Sequence, residues 1–306
     1  MTFFFGVVLP YVAIAVFLAG IVWRVARWAR SPVPFRIPTV CGQHKSLDFI
    51  KPGRLESPAT GLGVAGRMAL EILLFRSLFR NTRSELMQGP RLVQDENKIL
   101  WLGALMFHYS FLVIFVRHLR FFLEPAPWCV ATLEAADGFF QVGAPPVYAT
   151  DVGIAAALGY LFLRRVWNPQ VRYISLFSDY FALLLLGSIA VTGILMRYFM
   201  KVNLMEVKRL AIGLVTFTPY VPENVSWIFY AHVALVSALF VYFPFSKLVH
   251  MGGVFLSPTR NLANNNRRKR HVNPWNYPVK VHTYEEWEHE FHDKMKAAGL
   301  PLEAQQ

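Results

Sequence analysis

The chain has 306 residues, 55% of them hydrophobic and only 16% charged, with a mean hydropathy of +0.35. A soluble domain could not bury that much apolar surface, so the composition excludes an ordinary globular protein and points to a bilayer as solvent. The net charge of +12 and pI near 9.8 come with no nucleic-acid-binding motif, and in a membrane protein basic residues collect in cytoplasmic loops.

Crossing the hydrocarbon core takes about 20 mostly apolar residues, and five segments meet that test. Thr2 to Trp23 is uncharged, with no basic region ahead of its apolar run and no small-residue cleavage site, so it reads as a retained span. Gly61 to Phe79 fails, because Arg67, Glu71 and Arg76 interrupt it and charges near a helix centre cost about 2.5 to 3.5 kcal/mol each. It is expected on the membrane surface or against a partner. The second span is Ile99 to Phe122, with His108 and His118. The third follows Pro146 and reaches Leu163, with Asp151 near its start; the fourth covers Asp179 to Met200. Leu210 to Pro222 is apolar but short and proline-ended, which suits a loop dipping into the interface. The fifth span runs from Asn224 to about His250 and contains His232 and Pro244.

The expected fold is therefore an all-α membrane bundle of five transmembrane helices in residues 1–251, followed by a cytoplasmic partner-docking tail, 252–306. Lys and Arg number 13 between Arg24 and Lys98, 3 between Arg164 and Arg172 and 9 from Lys247 onward, 25 in all on one side, against 6 on the other. The positive-inside rule puts the N-terminus outside and the C-terminus in the cytoplasm of a cell (inner) membrane protein. The loop Glu124 to Pro146, with Glu134 and Asp137 and no basic residue, suits the outside. Cys41 and Cys129 are too few for an iron–sulfur cluster and fall on opposite sides, so they cannot pair.

In the tail, Arg267, Arg268, Lys269 and Arg270 follow the last span and fix topology or meet anionic headgroups. Thr283 and Glu286 form a capping box; Tyr284, Trp287, Phe291, Met295 and Ala298 keep helical spacing, and Gly299 ends a short amphipathic helix. That helix is expected to dock on a partner subunit or on the membrane surface. His44, His271, His282, His289 and His292 lie outside the spans; His289 and His292 read as solvated residues, with metal binding the lesser alternative.

Four histidines lie in spans, two on the second and two on the fifth, and an ionisable side chain inside a bilayer is costly and usually functional. His108 and His118 are 10 residues apart, about 15 Å of rise; His232 and His250 are 18 apart, five turns and about 27 Å. The two spans run in opposite directions, so His118 and His232 lie toward the outside and His108 and His250 toward the cytoplasm. Two histidines at each of two depths suit two haems, each held by two imidazoles, and do not suit one tetrahedral zinc. The unequal rises require tilt or a kink at Pro244. Without a Cys-x-x-Cys-His sequence the haems would be b-type. A haem-free membrane anchor, its histidines bonding only between helices, is the alternative.

Five spans, an outside N-terminus and histidine spacings of 10 and 18 resemble the gamma subunits of respiratory nitrate reductases. The resemblance implies an outer haem on His118 and His232, an inner haem on His108 and His250, menaquinol oxidation beside the outer haem, and electrons passing inward with protons left outside. Arg117 and Arg120 would then contact a quinone or a haem propionate, or anchor the helix. Asp151 would cap the third span, with proton acceptance from quinol the alternative. The family's basic residue on the third span has no counterpart in Tyr148, Ala149, Thr150 and Asp151. The loop with Cys41, Lys51 and Pro52 and the tail NPWNYPVKVHTYEEWEHEFHDK resemble the M subunits (DsrM) of sulfite-reduction-associated Dsr complexes. That likeness implies a cytoplasmic iron–sulfur partner of the heterodisulfide-reductase, DsrK type. It also implies a multihaem cytochrome c, an iron–sulfur protein and a second membrane subunit.

Overall fold

The computed structural model describes residues 1–31, 53–80, 82–89, 91–138, 145–264 and 281–303. Cys41, Lys51, Pro52, the basic run Arg267 to Arg270 and the tail as far as Lys280 lie outside the described residues. Four helical runs are long and apolar enough to cross a membrane: Phe4–Ala29, Lys98–Phe122, Phe177–Tyr198 and Trp227–Phe245. They contain α1 (Leu9–Ala29, entered through a π-helical Phe4–Val8), α4 (Lys98–Phe122), α8 (Phe177–Tyr198) and α10 (Trp227–Tyr242). Asn97 starts α4 by accepting the Leu100 N–H at 3.0 Å, and Phe75 (φ 48°) separates α2 (Gly61–Leu74) from α3 (Arg76–Phe79). Between α3 and α4 lies the sole hairpin among the described residues, β1 (Thr82–Met87) paired antiparallel with β2 (Arg91–Glu96) around Gly89 at φ 81°.

The remaining helices are α5 (Trp128–Asp137), α6 (Ala149–Trp167), α7 (Pro169–Ile174), α9 (Leu204–Val215), α11 (His250–Gly253), α12 (Pro258–Asn261) and α13 (Tyr284–Ala297). The apolar stretch expected as an interfacial loop, Leu210 to Pro222, belongs in its first half to α9. Asn203 starts that helix by accepting the Met205 and Glu206 N–H groups at 3.1 and 3.4 Å. Only the proline-bearing second half is irregular.

Neighbours in the bundle follow the order α4, α6, α8, α10, α1. One core unites Ile154 and Leu158 of α6, Leu185 and Leu186 of α8 and Leu239 of α10, with Phe107 and Ile114 of α4 against it. A second core closes one end, where α9 lays Val207 and Leu210 over Val7, Phe229, Phe121 and Met196. That end therefore holds the start of α1 and α10 and the finish of α4 and α8, and consecutive long helices alternate in direction.

At 19 residues, about 28 Å of rise, α6 is shorter than α4 (25 residues) and α8 (22 residues) but joins both ends of the bundle. Its first turn meets the C-terminal turns of α4 and α8 through Asp151, and Arg165 near its finish meets Asp179 at the start of α8. Small residues bring it close to α4: a Cβ on Gly103 would stand 2.7 Å from the Tyr160 ring, and one on Gly153 2.7 Å from Ser110 Oγ. Gly and Ala in its middle and charges at its ends make α6 less apolar than the four spans.

The last span is not one helix to His250, as its uncharged run suggests. Regular α-helix ends at Tyr242, Phe243–Phe245 tightens to a 3-10 turn around Pro244, Ser246 is extended, and a second 3-10 turn, Lys247–Val249, leads into α11. Proline lacks the N–H a helix needs and clashes with the preceding turn. Pro244 is buried and rests on Gly20 of α1. The segment Gly61 to Phe79 docks on α4: the Leu74 carbonyl accepts from Trp101 Nε1 and the Leu73 carbonyl from Tyr109 Oη, each at 2.8 Å. Its Arg67 and Glu71 are buried, Glu71 accepting the Ser77 N–H at 3.0 Å.

Candidate functional site

His250, expected within the fifth span, lies past the last long run, Trp227–Phe245, and each of the four histidines has Nδ1 at a hydrogen-bond partner. The Ala104 carbonyl takes it for His108 at 2.8 Å, Ile114 for His118 at 2.7 Å and Lys247 for His250 at 3.1 Å. A carbonyl only accepts, so Nδ1–H is the donor in all three. His232 places Nδ1 2.8 Å from Thr192 Oγ1, and that hydroxyl reaches the Ser188 carbonyl at 2.9 Å. With its hydrogen on that carbonyl, the hydroxyl is an acceptor for a His232 Nδ1–H. His108, His118 and His250 thereby keep Nε2 as a bare lone pair, the state in which imidazole binds a metal.

The break after α10 carries His250 to His108, ring centres 5.9 Å apart and planes at 84°. Two imidazoles bonded to one metal at about 2 Å each would have ring centres about 6 Å apart. Phe75 and Phe107 meet the His108 ring edge-on at 4.8 and 5.0 Å. At the α9 end, His232 presents Cε1 to Gly193, where a Cβ would stand 3.6 Å away. Among the described residues no three His, Cys, Asp or Glu side chains gather as a metal cluster. The histidines come in twos, the number a haem takes.

Next to His118, Arg117 is buried and paired with Asp137, with Asp151 Oδ1 at 3.4 Å and Thr150 Oγ1 at 3.3 Å, and it lies 3.7 Å over the Tyr148 ring. Arg120 pairs with Glu134. Both arginines, read from sequence as quinone or propionate contacts, are thus engaged by carboxylates. Asp151 does not cap α6: Tyr148 is the N-cap, and the Asp151 carboxylate instead accepts from Tyr198 Oη at 2.7 Å. The acidic loop that follows α4 folds back as α5 to supply Asp137 and Glu134, which local sequence pattern does not reveal. Thr192, Phe75 and Tyr198 escaped the sequence reading, which named Asp137 and Tyr148 without giving either a contact at the site. In α13 the capping box forms as expected, Thr283 and Glu286 each accepting the other's N–H, and Gly299 follows at φ 68°. Cys129 is a free thiol in α5.

An apolar bundle that sets histidines two by two near its opposite ends has the architecture of a membrane cytochrome b. The chain belongs to the nitrate reductase gamma subunit family, whose model matches residues 67–268. It is 49% identical, over 89% of its length and 83% of the relative's, to the Hdr-like menaquinol oxidoreductase cytochrome b-like subunit of Archaeoglobus fulgidus. The protein of the same description from Archaeoglobus profundus is 44% identical over 87% of this chain and 81% of its own. The respiratory nitrate reductase 1 gamma chain of Escherichia coli is 29% identical over 52% of this chain and 74% of its own.

Proposed function

We propose that the chain is the dihaem cytochrome b subunit of a menaquinol-oxidising complex, with an outer haem on His118 and His232 and an inner haem on His108 and His250. The observation that carries this reading is the approach of His108 and His250 to 5.9 Å, with His108, His118 and His250 each donating through Nδ1 to a backbone carbonyl. When bound, the haems supply two one-electron stations between the quinone pool and a partner on the cytoplasmic side. The chain's own part is to orient four imidazoles: three by a backbone carbonyl of the same segment, one by Thr192 on α8. Phe75 and Phe107 flank His108, and the Arg117, Asp137, Asp151 and Tyr198 network braces the helix ends beside His118.

In this reading α6 is the fifth span, because it runs from one end of the bundle to the other between α4 and α8. The N-terminus is then outside and the excess of Lys and Arg cytoplasmic. The Hdr-like description of its archaeal relatives, and the resemblance of its loop and tail to DsrM subunits, favour a heterodisulfide-reductase-like iron–sulfur partner of the DsrK type in a sulfur-metabolism complex.

A pyridine haemochrome assay with a reduced-minus-oxidised spectrum on the detergent-solubilised chain tests the reading. Two haems b per polypeptide are expected; none, in protein expressed with ample haem, would leave a membrane anchor. His118→Ala or His232→Ala should remove the outer haem and quinol-dependent reduction together. His108→Ala or His250→Ala should leave an outer haem that still reduces, and retention of both haems in any of the four refutes that ligand assignment.

A further inference from the structure

Helix α2 has its polarity turned inside out. Leu62, Ala65, Gly66, Ala69, Ile72 and Leu73 recur at three- and four-residue steps and form one exposed, uncharged stripe, with Leu62 at 89% and Leu73 at 56%. Its two charged residues, Arg67 and Glu71, share the opposite face and are only 6% and 7% exposed. A helix bordered by water turns such residues outward, whereas one bordered by hydrocarbon turns its charges to the protein. The break at Phe75 leaves backbone groups that the helix itself does not satisfy. There the Phe75 N–H donates to the Leu70 carbonyl, Tyr109 Oη to Leu73 and Trp101 Nε1 to Leu74. On the far side of the break the Phe79 N–H closes on the Phe75 carbonyl at 3.0 Å, and the Glu71 carboxylate takes the Ser77 N–H. Each of these groups finds its partner within the protein, which a bilayer demands and water does not.

The two side-chain donors fix the level of this break. Trp101 and Tyr109 lie about 4.5 and 16.5 Å along α4 from Lys98, so α2 finishes beside the membrane-crossing length of α4 and not beyond its end. Tyr109 shares a face of α4 with the exposed Leu102, and the stripe of α2 therefore continues the apolar surface that α4 presents to lipid. Lys98 lies over the Phe79 ring at 3.4 Å, and Phe79 meets Trp101 edge-on at 4.9 Å, the mixture of cation and aromatic rings found at a membrane margin. A pocket opens beside His250, but none of the residues lining it comes from α2. We infer that α2 is a monolayer helix, its stripe laid against the acyl chains of the leaflet on the His108 and His250 side and its charges held inward, and that this face is not the seat of a soluble subunit. The inference rests on the long helices crossing the membrane and is independent of the haem assignment.

The test uses the full, unaltered chain in phosphatidylcholine vesicles that contain a phosphatidylcholine with a diazirine on its acyl chain. After illumination and digestion, mass spectrometry should find adducts on Leu62, Ile72 and Leu73 as well as on Leu102 and Leu112 of α4. Adducts confined to α4, with α2 silent, overturn the inference. A second measurement places bimane at Ala65→Cys or Ala69→Cys in a chain that also carries Cys41→Ser and Cys129→Ser. Quenching by a lipid with a doxyl group high on its acyl chain should come within about twofold of that at a Leu112→Cys control, as expected of a helix sunk about 5–10 Å below the headgroups. Iodide in the buffer should leave the emission unchanged. Iodide quenching without doxyl quenching would hand the stripe to water or a soluble partner, and protection from both quenchers would place it against protein or a haem; either result overturns the inference. Haem content, measured on the same vesicles, bears on the dihaem reading alone, so the two can fail separately.

Discussion

Replacing Asp137 with alanine should release α5 and its loop from the bundle. The carboxylate is 3% exposed and its partner Arg117 10%, so the pair is shielded from water and salt. Asp137 also accepts the Thr150 N–H at 2.8 Å and the Thr150 hydroxyl at 2.6 Å, tying α5 to both α4 and α6. Breaking a buried pair by removing one partner costs about 3–5 kcal/mol. Arg117 keeps Asp151 at 3.4 Å and the Tyr148 ring, so the lower end of that range, about 3 kcal/mol, is expected. Hydrogen–deuterium exchange in detergent reads this directly, because about 3 kcal/mol should speed exchange in Trp128–Asp137 by about a hundredfold. Asp137→Asn, which keeps an acceptor for Thr150 but not the charge, should lose less. A change within about 0.5 kcal/mol in the alanine variant, the size of an ordinary surface substitution, would refute the bracing role.

Thr192→Val keeps the shape of the residue but removes the acceptor for His232 Nδ1–H, and should weaken outer haem binding by about 10- to 100-fold, measured by haem transfer to an apo-acceptor. Gly20→Val would drive a Cβ to 2.7 Å from Pro244, costing about 1–3 kcal/mol and displacing the break that delivers His250. On the dihaem reading, haem content should then fall from two toward one, with the spectrum of the haem on His118 and His232 retained. Thr283→Ala should cost α13 about 1 kcal/mol through its lost N-cap, seen as about fivefold faster amide exchange at Glu286.

Apolar runs made α1, α4, α8 and α10 legible in the sequence, because lipid demands a long uncharged helix and little else. The histidines stood out for the complementary reason, as polar side chains where none is cheap. The break at Pro244 was only half legible: proline announces that a helix will not continue, but whether it kinks or stops depends on Gly20 of α1, 224 positions upstream, letting the ring nest. The partners of Arg117 and Arg120 were hidden for the same reason, since Asp137 and Glu134 reach them only after α5 folds back. Local signals were also passed over: Asn203 marks the start of α9, and Gly89 the turn of the hairpin.

The docking of α2 has a mechanical corollary. Asn264 N–H donates to the Pro58 carbonyl at 2.7 Å, and α12 packs on α2. The start of the tail is therefore moored at two points, to the end of the last span and to a strut that leans on α4 through Trp101 and Tyr109. Phe75, at the far end of that strut, touches the His108 ring. A load applied to the tail is shared between both moorings, and each leads to one histidine of the same pair: α11 to His250, the strut to His108.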